Sequence, residues 1–206
     1  MNDIEKQIEK NIKFLKKIED IAEKISIPNN NKEMLFSGIF RNSLSHYYSI
    51  NILCERKLYN SSFALIRVLF EGIIRAQYLY CGEFTSEKIN NMYNGCNWNN
   101  SFPSIKIMCT KIDDKYGSSF YSDIESNSYK AMNDYTHTGS KQISRNFNSE
   151  NGVIEPNFEQ NLIINSLIGI NALVKTFSIG YFEKIGLKYG EIQEKDIENF
   201  LEYTGL

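Results

Sequence analysis

Apolar residues return every three to four positions along most of the chain, a spacing typical of amphipathic helices. The amino-terminal segment, residues 1–27, shows this pattern among many charged residues. Its apolar positions are Ile4, Ile8, Ile12, Leu15, Ile18, Ala22 and Ile25. Phe14 and Ile21 widen the apolar face, and Asn11 interrupts a strict heptad. A wide face favours a helix packed on a globular core, with an oligomerisation helix as the alternative.

The same spacing predicts further helices that end where glycine, proline or asparagine accumulates. Their approximate ranges are 32–57, 61–81, 87–93, 103–115, 118–135, 157–185 and 191–203. The link around residues 58–60 is so short that the helices on either side must form an antiparallel hairpin. Residues 140–156 are polar and contain several Asn, Ser and Gly residues, so we expect a long exposed loop there.

The fold class follows from these periodicities and from the size of the chain. No segment shows the sustained two-residue alternation that half-buried strands require. The 206 residues, 42% of them hydrophobic, are enough to bury a sizeable core. We therefore expect an all-α protein, a helical bundle of six to eight helices that forms one domain over residues 1–206.

The helix predicted over residues 61–81 contains a stripe of charge. Arg67, Glu71 and Arg75 are the only charged residues between Tyr59 and Tyr80, and they lie four residues apart on one helical face. The other positions are mostly apolar, so the helix should be buried nearly all round. Charges taken inside are paired or functional. This charge stripe is therefore either a net positive site for an anionic ligand such as phosphate, or a buried ion network that fixes the packing.

The chain has two histidines, His46 and His137. His137 follows Tyr135 and Thr136, precedes Thr138 and Gly139, and lies eight residues before Arg145. An imidazole among hydroxyl groups can act as a general acid or base near neutral pH, although it can also cap the end of a helix. For His46, which lies within a predicted helix, a partly buried side chain with satisfied hydrogen bonds is the simpler interpretation.

Composition and charge exclude some function classes. The formal net charge of −2 argues against the broad basic surface of a protein that binds nucleic acid mainly through phosphates. The four cysteines show no C-x-x-C spacing, which indicates reduced thiols and a cytoplasmic protein; they are Cys54, Cys81, Cys96 and Cys109. The amino terminus lacks the apolar core of a secretory signal. The longest apolar stretch, near residues 162–174, is too short to span a membrane, so we expect no membrane segment.

The established motifs for cofactor and metal binding are also absent. Two histidines, dispersed cysteines and no H-E-x-x-H motif leave no recognisable metal site. The phosphate-binding glycine patterns and the G-x-S-x-G motif of hydrolases do not occur. We therefore expect neither a metal nor a cofactor.

The segment from Arg41 and Asn42 to His46 reads R-N-x-x-x-H. It resembles the signature of the HEPN superfamily, small helical domains found in higher eukaryotes and prokaryotes. The resemblance implies that the arginine, the polar residue and the histidine cut RNA without metal, usually in a composite site across a homodimer. Many members of the superfamily are toxins or abortive-infection effectors.

A second resemblance covers residues 33–145 and adds two motifs to His46. The charge stripe lies in an A-L-x-R-x-x-x-E-x-x-x-R helix, and His137 lies in a later T-H-T-G. Together they resemble a group of uncharacterised bacterial HEPN-like proteins. The resemblance implies a central pocket formed by the charge stripe and His137, which His46 faces from the other helix of the hairpin. The sequence departs from the nuclease pattern because Ala131 and Met132 stand where an arginine is expected.

The resemblance implies a metal-independent ribonuclease-type effector of phage defence or of a toxin–antitoxin system. The alternative is a binding module without catalysis, which recognises a nucleotide, a phosphate or a protein partner. The expected partners are RNA or a nucleotide, a second copy of the chain, and an antitoxin or another defence protein. His137, His46 and the charge stripe would be catalytic. The expected substrate contacts are Arg41, Asn42, Tyr135, Thr136, Thr138 and Arg145.

Overall fold

A computed structural model describes residues 2–26, 28–95, 98–148 and 152–204. The helices are α1 (Asp3–Ala22), α2 (Asn31–Glu55), α3 (Tyr59–Cys81), α4 (Ser86–Tyr93), α5 (Ile105–Tyr116), α6 (Phe120–Thr136), α7 (Ser140–Ser144), α8 (Gln160–Tyr181), α9 (Leu187–Tyr189) and α10 (Glu194–Thr204). A 3₁₀ turn, Trp98–Asn100, lies between α4 and α5, and a π-helical turn, Phe182–Gly186, joins α8 to α9. Within the described residues, eight helices have eight residues or more. The prediction of an all-α helical bundle is confirmed.

The predicted hairpin of α2 and α3 forms the centre of the fold. The turn between them places Lys57 at φ 58°, and two polar contacts of Ser62 join the helices near it. Ser62 Oγ donates to the Ile50 carbonyl at 3.1 Å and lies 3.1 Å from Cys54 Sγ. The other faces of α3 pack on α5, α6 and α8. Because α3 carries the charge stripe, this hairpin fixes the position of the candidate site.

Helix α1 packs on the core, as its wide apolar face predicts. It contacts α2 and α8, and its residue Asn11 is fully buried at this contact. Asn11 Nδ2 donates to Asn51 Oδ1 at 2.9 Å and to the Leu167 carbonyl at 3.2 Å, which satisfies its buried amide. The residue that interrupts the heptad thus ties three helices together, and the core-packing interpretation of α1 holds.

The prediction of a long loop over residues 140–156 is wrong. The segment contains α7 and two short strands, β1 (Phe147–Asn148) and β2 (Val153–Ile154), which pair antiparallel with Phe147 opposite Ile154. Gly152 adopts φ 69°, a conformation that glycine takes without a steric penalty. Strands of two residues are too short for an alternating pattern to be visible in the sequence. Residues 149–151 lie outside the described part of the chain.

Helix α8 continues through the π-helical turn to Tyr189, a run of 30 residues. By length and composition alone this run could cross a membrane, a test that the core helix of a globular protein also passes. Here α8 packs on α1, α2 and α3, and its buried residues include Leu167, Val174 and Phe177. The expectation of no membrane segment stays a prediction. Cys54, Cys81 and Cys109 are free, and Cys96 lies outside the described residues.

Candidate functional site

The charge stripe lies on the face of α3 that points towards α6. The side chains of Arg67, Glu71 and Arg75 are 21%, 16% and 28% exposed, so they are partly buried rather than fully enclosed. The expectation of a helix buried nearly all round is therefore wrong at this face. Val68 beside the stripe is 42% exposed, and Gly72 has no side chain to cover it. The stripe is consequently accessible to a ligand from solvent.

Glu71 holds both arginines and a tyrosine. Its carboxylate lies 2.7 Å from Arg67 Nε and 3.5 Å from Arg75 Nη2, and it accepts a 2.6 Å hydrogen bond from Tyr129 Oη. Burial alone would raise the pKa of Glu71, but the hydrogen bonds from Tyr129 and Arg67 and the charges of both arginines outweigh it and lower the pKa. Glu71 is therefore ionised at neutral pH, and two guanidinium groups around one carboxylate leave the group with a net positive charge.

His137 joins this group through Arg67. The Nη1 atom of Arg67 lies 2.5 Å from His137 Nε2. A guanidinium group can only donate hydrogen bonds, so Nε2 must be the acceptor. The contact therefore assigns Nε2 as the ring nitrogen whose lone pair faces the guanidinium. Since His137 is exposed to solvent, its ring stands at the outer edge of the stripe. The predicted meeting of an imidazole and the charge stripe is confirmed for His137.

The end of α6 determines where this imidazole lies. Helix α6 ends at Thr136, whose Oγ1 donates to the Met132 carbonyl at 2.9 Å. His137 takes the C-cap position, but its ring contacts Arg67 rather than the carbonyls of its own helix end. Thr138 follows at φ 55°, a region that β-branched residues rarely adopt. Strained backbone of this kind is often found at functional sites, where the surrounding structure maintains it.

Gly139 closes the turn, and we expect Gly139→Ala to destabilise the protein by about 1–3 kcal/mol through overpacking. A Cβ at this position would lie 2.8 Å from the Cα atom of Asp134 and 2.8 Å from its Oδ1. The backbone N–H of Gly139 also donates to the Asp134 carbonyl at 2.6 Å, so the turn has little room to move. Urea-induced unfolding measures the change.

Gly169→Ala is the matched control for this substitution. Gly169 lies in the interior of α8, and a Cβ there would meet no atom within 4 Å. Helix propensity alone should make this variant equal to wild type or more stable by about 0.5–1 kcal/mol. A Gly139→Ala protein as stable as wild type would contradict the tight turn.

A pocket of about 300 Å³ opens beside the charge stripe, and we call it the Arg67 pocket. Its lining residues are Ile39, Asn42, Arg67, Val68, Glu71, Gly72, Arg75, Trp98 and Thr136. Among the described residues, Arg75 Nε is buried and has no hydrogen-bond partner. A concave site lined by two guanidinium groups is suited to an anion such as a phosphate group.

The family comparison matches the part of the chain that carries this geometry. The sequence model of a family of unknown function, DUF6988, matches residues 40–179. The chain belongs to this family. The matched region begins in α2, contains the charge stripe and His137, and ends in α8. No curated protein and no solved structure matches the chain.

Some predicted site residues of this DUF6988 protein lie at the Arg67 pocket and others do not. Asn42 and Thr136 line the pocket, whereas Thr138 is exposed in the adjoining turn. His46 does not line it and makes no side-chain hydrogen bond among the described residues. It lies one helical turn beyond Asn42, and burial lowers its pKa. The expectation that His46 faces the charge stripe finds no contact to support it.

Tyr135 and Arg145 belong to a different face of the DUF6988 protein. Tyr135 is 6% exposed and packs on Phe63 with 4.9 Å between the ring centroids. Arg145 forms a 2.9 Å ion pair with Glu159. Both residues line a separate cavity of about 400 Å³, which also contains Lys141. The structure therefore does not bring them to the charge stripe: Tyr135 lies on another side of α6, and Arg145 follows the end of α7.

Arg41 lies near the Arg67 pocket but does not line it. Its side chain is 71% exposed and pairs with Glu19 at 3.1 Å. Within residues 2–26, 28–95, 98–148 and 152–204, no three His, Cys, Asp or Glu side chains are grouped so that they could hold a metal ion. The expectation of neither metal nor cofactor stays a prediction.

Sequence reasoning missed two aromatic residues of the DUF6988 site, Tyr129 and Trp98. Tyr129 donates to Glu71, and the Arg67 guanidinium lies 5.6 Å from the centre of its ring. Tyr129 precedes His137 by eight residues, the spacing that also separates Arg67 from Arg75, so the helical pattern could have identified it. Trp98, the one tryptophan of the chain, lines the pocket from the 3₁₀ turn. Nothing in the sequence near Trp98 indicates that position.

Proposed function

We propose that this DUF6988 protein binds RNA at the Arg67 pocket and cleaves it without a metal ion, with His137 as the proton-transfer group. One observation carries the proposal. Arg67, which lines a pocket with net positive charge, connects Glu71 to the exposed imidazole of His137, the residue after the pocket-lining Thr136. An RNA phosphodiester supplies an anion for such a pocket. The 2′-hydroxyl of the adjoining ribose supplies a proton that the imidazole can accept.

The arginines account for phosphate binding. Arg67 and Arg75 each present a planar fork of donors, which matches phosphate oxygens better than a lysine ammonium does. Glu71 and the ring of Tyr129 hold the Arg67 guanidinium in place, so little side-chain entropy is lost when a ligand binds. Arg75 shares the Glu71 carboxylate with Arg67 and lines the same pocket, so both guanidinium groups lie at the ligand position.

The contact between Arg67 and His137 suggests the order of events. A phosphate oxygen is a stronger acceptor for Arg67 Nη1 than a neutral imidazole, so the bound phosphate displaces His137 from that donor. The released lone pair of Nε2 then accepts the proton of the 2′-hydroxyl. The 2′-oxygen attacks the phosphorus, the bond to the 5′-oxygen breaks, and the leaving 5′-oxygen takes a proton from solvent. Arg67 and Arg75 stabilise the charge on the pentacovalent phosphorus.

The HEPN-like resemblance extends the proposal to a biological setting. In this setting the protein is a cytoplasmic ribonuclease-type effector of phage defence or of a toxin–antitoxin system. It acts as a homodimer and is controlled by an antitoxin or another defence protein. The motifs behind this part are the R-N-x-x-x-H of α2, the charge stripe and the T-H-T-G turn.

The test is RNA cleavage in a buffer that contains a metal chelator. Wild type is expected to cleave single-stranded RNA, and His137→Ala to cleave it at least about 100-fold more slowly, the usual effect of losing a proton-transfer group. Arg67→Ala should lose both binding and cleavage. Arg56→Ala removes an exposed arginine at the end of α2 and serves as its matched control. Equal cleavage by wild type and His137→Ala, or none by either, would contradict the catalytic proposal.

A second candidate function is nucleotide or phosphate binding without catalysis. It is favoured by the single imidazole at the charge stripe, because His46 makes no contact with it. General acid–base cleavage of RNA usually uses two proton-transfer groups. The same samples distinguish the candidates. Binding of an uncleaved RNA that depends on Arg67, together with the absence of any cleavage product, would support the binding module.

A further inference from the structure

A second cavity adjoins the Arg67 pocket along α2. It has a volume of about 520 Å³, and Arg41, Ser45 and Tyr93 lie at its edge. Ile39 and Asn42 line both cavities. The two spaces are therefore neighbours along one side of α2, and we call them together the α2 groove. None of the three charge-stripe residues lines the second cavity, so a phosphate held by the stripe lies outside it.

Tyr93 is the exposed aromatic residue of this second cavity. It is the last residue of α4 and is 41% exposed, whereas Ile89 and Met92 of the same helix are buried. The side chains of Asn31 and Asn90 also join α4 to α2 through a 2.8 Å hydrogen bond. Tyr93 is thus a solvent-accessible ring on an anchored helix, as base stacking requires.

Arg41 and Gly38 complete the second cavity. Within the described part of the chain, the guanidinium of Arg41 is engaged by a surface ion pair with Glu19, which a phosphate group can replace at small cost. At Gly38, a Cβ would meet no atom within 4 Å, so the cavity is open over this part of α2. An aromatic ring, a nearby guanidinium and open space between them are what one nucleotide needs for its base and its phosphate.

We propose that Tyr93 and Arg41 form a second nucleotide subsite, so that the α2 groove takes a single-stranded oligonucleotide rather than a mononucleotide. The inference rests on the proposed function of the Arg67 pocket. The phosphate of a first nucleotide lies on Arg67 and Arg75, the base of the second nucleotide stacks on Tyr93, and Arg41 contacts the phosphate of that second nucleotide. Bases in a duplex are already stacked on each other, so only an unpaired strand can supply this base.

The experiment compares two probes on the full chain by fluorescence anisotropy. The first is a labelled RNA pentamer with 2′-O-methyl groups, which cannot be cleaved through its 2′-hydroxyl, and the second is AMP as a competitor. Tyr93→Ala is expected to weaken pentamer binding about tenfold or more, the usual effect of losing one stacked base. Its binding of AMP should be unchanged. Tyr93→Phe should restore pentamer binding because the ring, not the hydroxyl, makes the contact.

Two controls separate this inference from the proposed function. Tyr116→Ala removes a tyrosine of similar exposure, 47%, from α5, outside both cavities, and should bind both probes as wild type does. A duplex of the same sequence should not displace the pentamer. If Tyr93→Ala binds the pentamer like wild type, the subsite is wrong and the Arg67 pocket stands. If Arg67→Ala binds both probes like wild type, or wild type binds neither probe, the proposed function fails and the subsite fails with it.

Discussion

Replacing Glu71 by alanine is expected to lower the free energy of unfolding by about 2 kcal/mol and to abolish binding at the Arg67 pocket. The carboxylate accepts hydrogen bonds from Tyr129 and Arg67 and pairs with Arg75, so its loss leaves three polar side chains without their partner. Hydrogen bonds to charged groups contribute about 1.5–3 kcal/mol each, and the partial exposure of the two arginines reduces the cost here. Urea-induced unfolding and fluorescence anisotropy measure the two effects.

Glu71→Gln separates the positioning role of Glu71 from a chemical one. The amide oxygen of glutamine can still accept from Tyr129 or from Arg67, while the negative charge is lost. If Glu71 only positions the arginines, the glutamine variant should retain phosphate binding and measurable cleavage, because its amide oxygen still holds a partner in place, which alanine cannot do. Loss of cleavage with intact binding would instead mean that the Glu71 carboxylate takes part in proton transfer.

Glu87→Ala is the control for both variants. Glu87 is exposed in α4, does not line the Arg67 pocket, and should change the free energy of unfolding by less than about 0.5 kcal/mol. Should Glu71→Ala prove no less stable than Glu87→Ala, the ion pairs and the Tyr129 hydrogen bond would contribute nothing to folding. The charge stripe would then owe its arrangement to the packing of α3 alone.

The charge stripe could be predicted from the sequence because its geometry is local. Residues four apart are neighbours on any helix, so Arg67, Glu71 and Arg75 had to meet once the helix formed. Its contact with His137 is not local, since seventy residues separate the histidine from Arg67. The scarcity of histidine and the T-H-T-G resemblance make His137 a candidate site residue, but no periodicity indicates which helix ends meet in the folded protein.

The burial of α3 was predicted less well, again for a physical reason. An apolar residue in a helix is buried only if another element covers it, and the sequence does not say where cover ends. Val68 is apolar and 42% exposed because it lies beside the Arg67 pocket. In the sequence, Val68 cannot be distinguished from the buried apolar residues of the same helix. The exposure of the charge stripe could therefore be learned only from the three-dimensional structure.

Helical geometry alone argues against placing Tyr135 at the charge stripe. It precedes His137 by two residues, which turns it about 200° around the helix axis and directs it to the opposite side. It packs there on Phe63, while His137 reaches Arg67. Adjacency in the chain indicates a shared site in a loop, but in a helix it indicates the opposite. The same reasoning finds Tyr129, eight residues before His137, on the side of the charge stripe.

The start of α6 provides the second large expected effect. Asp113→Ala should destabilise the protein by about 2–3 kcal/mol, although Asp113 lies in α5 and far from the Arg67 pocket in sequence. The buried carboxylate accepts from the backbone N–H groups of Tyr121 and Ser122 at 3.2 and 2.7 Å and from Ser118 Oγ at 2.7 Å. Ser119, the N-cap residue of α6, makes no side-chain cap of its own. Alanine would therefore leave buried donors at a helix start unsatisfied.

This contribution should depend on pH in a defined direction. Burial raises the pKa of Asp113, but the hydrogen bonds from Ser122, Ser118 and Tyr121 outweigh it and hold the pKa below its usual range. A folded-state pKa below the unfolded value means that the stabilisation is complete above the unfolded pKa of about 3.9. It is lost as the pH falls through the folded-state pKa. The difference in stability between wild type and Asp113→Asn should accordingly shrink only in acid.

Asp114→Ala tests whether the effect belongs to this one carboxylate. Asp114 is the next residue of α5 and is exposed, so its substitution should change the free energy of unfolding by less than about 0.5 kcal/mol at any pH. Urea-induced unfolding at neutral and acidic pH compares wild type with Asp113→Ala, Asp113→Asn and Asp114→Ala. Helix α6 delivers Tyr129 and His137 to Arg67, so a loosened start of α6 should also weaken phosphate binding in Asp113→Ala. An Asp113→Ala protein with wild-type stability would mean that water replaces the carboxylate without cost, and the Asp113 cap would then have no part in positioning His137.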